Sequence, residues 1–128
     1  MADQRIIVAL DVSTTSELKD LVAQIPNRHC RVKIGKELFT SVGPLAVDIC
    51  HAAGLDVFLD LKFHDIPNTC AKAVLAAARL GVWMTNVHCA GGADMMRAAR
   101  EILDDQAHRP LLIGVTVLTN MSQQNLLE

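Results

Sequence analysis

The sequence predicts a layered α/β protein on a parallel sheet, part of a TIM (β/α)8 barrel, and three observations carry that expectation. Short apolar runs alternate with segments of helical spacing, their starts recurring about every 25 to 28 residues without hairpin-type turns. Four of the five runs finish on polar or charged residues, namely Asp11, Lys33, Asp60 with Lys62, and Thr119. A parallel sheet brings such ends to one rim, and a barrel gathers them into a single mouth. No G-x-G-x-x-G follows the first run, which removes the main nucleotide-binding rival, a doubly wound sheet.

Each element has its own signal. Arg5–Asp11 is a short apolar run, expected as a buried strand ending on a carboxylate. Thr14 with Glu17 fits a capping box, and Leu18, Leu21, Val22 and Ile25 give helical spacing stopped by Pro26-Asn27. The second strand, Cys30–Gly35, carries Lys33 near its end. A broken helix follows, Glu37–Val42 and Leu45–Ala53 around Gly43-Pro44, closed by Gly54. The third strand starts at Val57, and Pro67 suits the first turn of the helix that runs to about Leu80 before Gly81. Val82–His88 reads as strand four. Ala93–Gln106 reads as a helix with Met96, Ala99 and Leu103 on one face. Leu111–Thr119 reads as strand five, and Ser122 starts a last helix.

Length and composition set the limits. The 128 residues suffice for one domain with a core and not for two. They supply four βα units and a fifth strand, whereas eight units of about 27 residues need roughly 215. Residues 1–128 are therefore expected to form the N-terminal portion of one incomplete barrel domain, whose open edges require cover. Aromatics are few and Tyr is absent, so aliphatic side chains carry the packing. The net charge of −2 and the lack of a basic run exclude nucleic acid and acidic membrane surfaces as expected partners. No apolar run is long enough to span a bilayer, and Met1-Ala2-Asp3-Gln4-Arg5 lacks a signal-peptide pattern, so a cytoplasmic setting is expected. The cysteines at 30, 50, 70 and 89 form no C-x-x-C pair. Three adjoin a histidine, but adjacent residues point in different directions, so free thiols and no metal are expected.

The chemistry concentrates in residues 57–69. Side chains two apart on a strand share a face, which puts Asp60 and Lys62 together and leaves Leu59 and Leu61 to a covering helix. With Asp65 just beyond the strand, a lysine flanked by carboxylates makes a poor core and a good proton donor. The plainer reading is a solvated strand end with surface ion pairs. Lys33 and Asp11 at the same rim weigh against it, although a lone Lys33 could simply snorkel. Thr119 alone would read as structural. His88 reads as a hydrogen-bond donor that holds a strand, His64 as pointing away from Asp65, and Gly91-Gly92 as a tight turn.

Asp60-Leu61-Lys62-Phe63-His64-Asp65-Ile66-Pro67-Asn68-Thr69 resembles the signature of the bacterial-type orotidine 5′-phosphate decarboxylases. Ala9-Leu10-Asp11, Val32-Lys33-Ile34-Gly35-Lys36, Asn86-Val87-His88 with Gly91-Gly92, and Val115-Thr116-Val117-Leu118-Thr119 match in order and spacing. The resemblance covers essentially the whole chain. It implies cofactor-free conversion of orotidine 5′-monophosphate to uridine 5′-monophosphate in pyrimidine biosynthesis. Lys62 then corresponds to the donor that protonates C6, and Asp60 to the carboxylate beside the substrate's own. Lys33 completes an alternating charge network and reaches the ribose. Asp65 is the fourth member, contributed with Ile66 and Thr69 from the neighbouring subunit of a homodimer. Asp11 corresponds to a ribose-hydroxyl ligand and Thr119 to a pyrimidine contact. The family's later phosphate-binding loop, with its glycine and arginine, has no counterpart here.

Losing carbon dioxide from such a ring leaves a carbanion that no cofactor delocalises, so the site must stabilise negative charge and deliver a proton at once. A unit-charge contact at about 4 Å is worth on the order of 4 kcal/mol at an effective dielectric near 20. Remote phosphate binding normally helps lower such a barrier, so the isolated 128-residue chain is expected to turn over weakly or not at all. Two other readings stay open. One is a magnesium-dependent keto-sugar-phosphate decarboxylase on the same barrel, which carries an acidic residue where this chain has Lys33. The other is an inactive half-barrel fragment that only assembles.

Overall fold

Five parallel strands lie side by side in chain order, β1 Ile6–Ala9, β2 Cys30–Ile34, β3 Val57–Phe63, β4 Met84–His88 and β5 Leu111–Val115. A computed structural model describes residues 3–128; Met1 and Ala2, the first residues of the start read above, lie outside them. Between the strands run α1 Thr15–Val22, α2 Lys36–Val42, α3 Leu45–Ala52, α4 Pro67–Arg79 and α5 Ala93–Glu101, and α6 Gln123–Leu127 follows β5. A doubly wound sheet reverses its strand order at a switch point. This order never reverses, which is the progression of a (β/α) barrel.

The helices cover one face of the sheet. Val32, Ile34, Val57 and Leu59 pack against Leu18, Val22, Leu38, Ala46, Val47 and Cys50. Val87 joins Cys70, Val74, Ala78, Met95, Ala99 and Leu103. Each fully buried leucine in these clusters stabilises the fold by roughly 1.5–3 kcal/mol. Strand alternation then turns Arg31, Lys33, Asp60 and Asn86 to the face without helices. As the spacing predicted, Leu59 and Leu61 lie on the helix side.

Local sequence accounts for most boundaries. Thr14 caps α1, its hydroxyl oxygen accepting the Glu17 N–H at 3.2 Å, which is one half of the expected capping box. Pro67 opens α4, and Gly81 (φ 78°) leaves it in a conformation that suits glycine.

Other expectations need correction. β1 ends at Ala9 because its last registered pair is Ala9 with Lys33; Leu10 then turns into the core and Asp11 stands beyond the strand. β5 ends at Val115 rather than Thr119 because β4 offers no residue past His88, the partner of Val115, and among the described residues β5 has no strand on its other side. α5 stops at Glu101 rather than Gln106. Met96 does pack with Ala99 and Leu103 as the spacing implies, and Met95 beside it is fully buried.

Candidate active site

The charged side chains cluster where β2 and β3 end. Asp60 is buried on the open face of β3. Its Oδ1 lies 2.8 Å from the Lys62 ammonium and its Oδ2 3.4 Å from that of Lys33. The three alternate in sign: Lys33, Asp60, Lys62. Asn86, from β4, donates through Nδ2 to Asp60 Oδ1 at 2.8 Å, and its own Oδ1 accepts the Lys62 backbone N–H at 2.9 Å. Burial by itself pushes the Asp60 carboxyl up. Hydrogen bonds from Lys62 and Asn86, with the charges of Lys62 and Lys33, outweigh it and hold the group below the usual carboxylate range.

Asp60 and Lys62 meet, though not through the regular alternation the sequence suggests. Lys62 has φ 49°, and the β3–β4 register shifts between Leu59 and Phe63. The end of β3 is bulged, and the bulge aims Lys62 back over Asp60.

Two clefts meet at this triad. One, about 230 Å³, is lined by Leu10, Asp11, Lys36, Lys33, Asp60 and Lys62 among others. The second, about 430 Å³, shares Lys33, Asp60 and Lys62 and continues along Val115, Val117, Leu118 and Thr119. Asp11 and Thr119 thus flank the triad from either side although neither ends a strand. Asp65, Ile66 and Thr69 stand apart and exposed, where α4 begins. Asp65 Oδ1 accepts the Ile66 N–H at 2.7 Å, and among the described residues Asp65 forms no ion pair. Within one chain, therefore, Lys62 meets one carboxylate rather than two.

A profile of the orotidine 5′-phosphate decarboxylase / HUMPS family matches residues 4–128. The chain belongs to this family. It is 56% identical over 124 residues to orotidine 5′-phosphate decarboxylase of Hahella chejuensis, covering 97% of this chain and 53% of that one. The enzyme of that name from Aliivibrio fischeri is 58% identical over 127 residues, covering 98% of this chain and 54% of its own. Among solved structures, orotidine 5′-phosphate decarboxylase from Lactobacillus acidophilus superposes with a TM-score of 0.86 at 36% identity, covering 97% of this chain and 58% of that one. The chain thus spans about half the length of the curated relatives it matches.

Within this family chain, sequence reasoning passed over Asn86 as a site residue. The available signal was a carboxamide inside the apolar run of strand four, because a buried polar side chain needs partners. The His88 side chain makes no hydrogen bond among the described residues, which corrects its reading as a strand-holding donor; only its backbone belongs to the ladder, registered with Val115. Its ring lies 5.5 Å from that of His64. Desolvation, with His64, Lys36 and Lys62 nearby, lowers the His88 pKa. Gly91 and Gly92 do form a turn, and a Cβ at Gly91 would run into the Met95 side chain. The cysteines are free, with burial raising the Cys50 thiol to about 11. No cluster of three or more His, Cys, Asp or Glu able to hold a metal occurs among the described residues. No helix among them is long and apolar enough to cross a membrane.

Proposed function

We propose that residues 1–128 form the N-terminal portion of a single (β/α)8-barrel domain that decarboxylates orotidine 5′-monophosphate to uridine 5′-monophosphate. The observation that carries this reading is the alternation of Lys33, Asp60 and Lys62 at the junction of the two clefts, with Asp60 within 2.8 Å of one ammonium and 3.4 Å of the other. In the proposed reaction the C6–carboxylate bond breaks, carbon dioxide departs, and the electron pair left on C6 takes a proton from Lys62 Nζ. Asp60 holds that ammonium in place and stands beside the departing carboxylate. Lys33 offsets the Asp60 charge and reaches the ribose, Asp11 binds a ribose hydroxyl, and Thr119 contacts the pyrimidine. A fixed charge array needs little reorganisation as charge develops, which is where such sites gain most.

The proposed assembly is a cytoplasmic homodimer in which Asp65 and Thr69, with Ile66, complete the neighbour's site. In support, all three are exposed, and Asp65 has no charged partner among the described residues. No cofactor enters this scheme. The magnesium-dependent alternative is disfavoured because Lys33 places a cation against Asp60, where a metal-binding site would want a further acidic ligand.

The test is the ultraviolet assay of orotidine 5′-monophosphate loss by the purified chain, with Lys62→Ala as control. Turnover that vanishes in the control supports the reading. The isolated chain is expected to be weak or silent, since it covers about half of its relatives. In that case the assay is repeated on the chain extended to a relative's full length. Silence there too, or a requirement for magnesium, overturns the proposal.

A further inference from the structure

We propose that Asn86 is the positioning residue of the Asp60–Lys62 pair, the side chain that fixes where the Lys62 ammonium points. β3 and β4 pair at Leu59 with Thr85 and next at Phe63 with Val87. Between those pairs β3 runs through Asp60, Leu61 and Lys62, while β4 supplies Asn86 alone. The surplus residues cannot be matched backbone to backbone, so part of the ladder is lost there. Asn86 fills it with a side chain: its Oδ1 takes the Lys62 N–H at 2.9 Å, where a strand carbonyl would ordinarily accept.

The same carboxamide reaches the carboxylate. Nδ2 donates to Asp60 Oδ1 at 2.8 Å, the oxygen that also receives the Lys62 ammonium at 2.8 Å. The amide has one workable orientation. Turned over, its NH2 would face the Lys62 N–H and its oxygen would face the carboxylate, two repulsive contacts in place of two bonds. Asn86 is 2% exposed, so water cannot readily substitute for it. One buried side chain therefore holds both ends of the pair: the backbone of Lys62, in a left-handed conformation that lysine rarely adopts, and the oxygen its ammonium meets.

The catalytic consequence rests on the proposed decarboxylase reading, while the positioning itself does not, so the experiment has two independent readouts. The first is nuclear magnetic resonance on the chain, following hydrogen exchange at the Lys62 amide and the titration of the Asp60 carboxyl. Asn86→Ala is expected to speed exchange at Lys62 by about tenfold or more and to raise the Asp60 midpoint. Asn86→Asp separates the two bonds, since it keeps an acceptor for the Lys62 N–H but sets a second carboxylate against Asp60. Exchange at Lys62 should stay slow there while the Asp60 midpoint rises.

The second readout is kinetics on whichever form of the chain turns over orotidine 5′-monophosphate. A misaimed donor is expected to lower kcat about 100-fold in either variant, with KM little changed. A variant that only melts earlier, with Lys62 exchange and the Asp60 midpoint unmoved, overturns the proposal. Should Asn86→Ala fail to fold, an unmoved Asp60 midpoint in Asn86→Asp does the same. Shifted resonance signals with kcat unchanged overturn the catalytic half alone. A wild type silent both as the 128-residue chain and extended to a relative's full length removes the decarboxylase reading and leaves the resonance result to decide the positioning.

Discussion

Arg31 and Lys33 stand two residues apart on one face of β2, yet they serve opposite ends of the sheet. Arg31 points to where the strands begin. Its Nη1 donates to the Gln4 carbonyl at 2.8 Å, and its guanidinium lies 4.0 Å over the Trp83 ring. Asp56 is 3.5 Å away, a charge contact rather than a hydrogen bond. Gln4, Asp56 and Trp83 precede β1, β3 and β4, so a single side chain ties four strand starts together. Lys33 points to where the strands end, 3.4 Å from Asp60, in a rim of partly exposed charges and bulged backbone. The first arrangement turns its guanidinium onto groups of the same chain, with Arg31 Nε left to the charge of Asp56 rather than to a hydrogen bond. The second leaves capacity facing two clefts, and this contrast separates a stabilising rim from a candidate reactive one.

The sharpest break in the contrast is Lys62→Ala. In the form of the chain that turns over substrate, loss of a positioned proton donor should cost about 10²–10⁴-fold in kcat. Stability should fall by about 1 kcal/mol, because Asp60 loses one partner but keeps Asn86 and Lys33, and a loss as large as that expected at Arg31 would merge the two rims into one. Arg31→Ala should do the converse. Removing a stacked cation and a charged donor is expected to cost roughly 2 kcal/mol in urea unfolding followed by circular dichroism, with the Asp60 titration unmoved. Arg31→Lys should recover little of it, because an ammonium has no plane to lay on the indole.

Smaller effects come from pH. The Asp60 carboxyl titrates below its unfolded value, so it adds stability that is full above about pH 4 and disappears as pH falls through the lower folded value. Asp60→Asn should flatten the fall in the urea midpoint between about pH 4 and the acid limit. An undiminished fall would place the acid sensitivity elsewhere. The His88 pKa is also lowered, so the folded chain prefers the neutral ring. Its contribution is full above about pH 6.5 and is lost as pH falls through the folded value. His88→Gln is expected to reduce the slope of stability below about pH 6.5 slightly, and an unchanged slope would remove His88 from the account.

The βα alternation was legible because each strand must show the helices an apolar side, as Cys30, Val32 and Ile34 do between Arg31 and Lys33, and each helix must show the sheet a stripe. Strand ends were less so. Asp11 and Thr119 continue runs that look extended, but pairing stops where the neighbouring strand stops, and a neighbour's length is not written in a run of valines. The placing of Asp60 and Lys62 together was readable, but the backbone that does it was not. A left-handed turn usually announces itself with glycine or asparagine, and here it falls on a lysine. Its explanation lies one strand over, at Asn86, where sequence separation hides the bond. Asp65 shows the same limit in reverse, because nothing in the charge pattern reveals that its carboxylate folds back onto the Ile66 N–H.

Trp83 is the chain's single tryptophan, and the chain has no tyrosine. Almost all of its near-ultraviolet absorption and intrinsic fluorescence must therefore originate beside Arg31, at the end of the sheet remote from Lys62. The molecule carries an optical label on the rim that fastens its strands and none on the rim that would react. An emission change on unfolding reports release of the Arg31 clasp, whereas a nucleotide seated over Asp60 and Lys62 is expected to leave that emission unchanged.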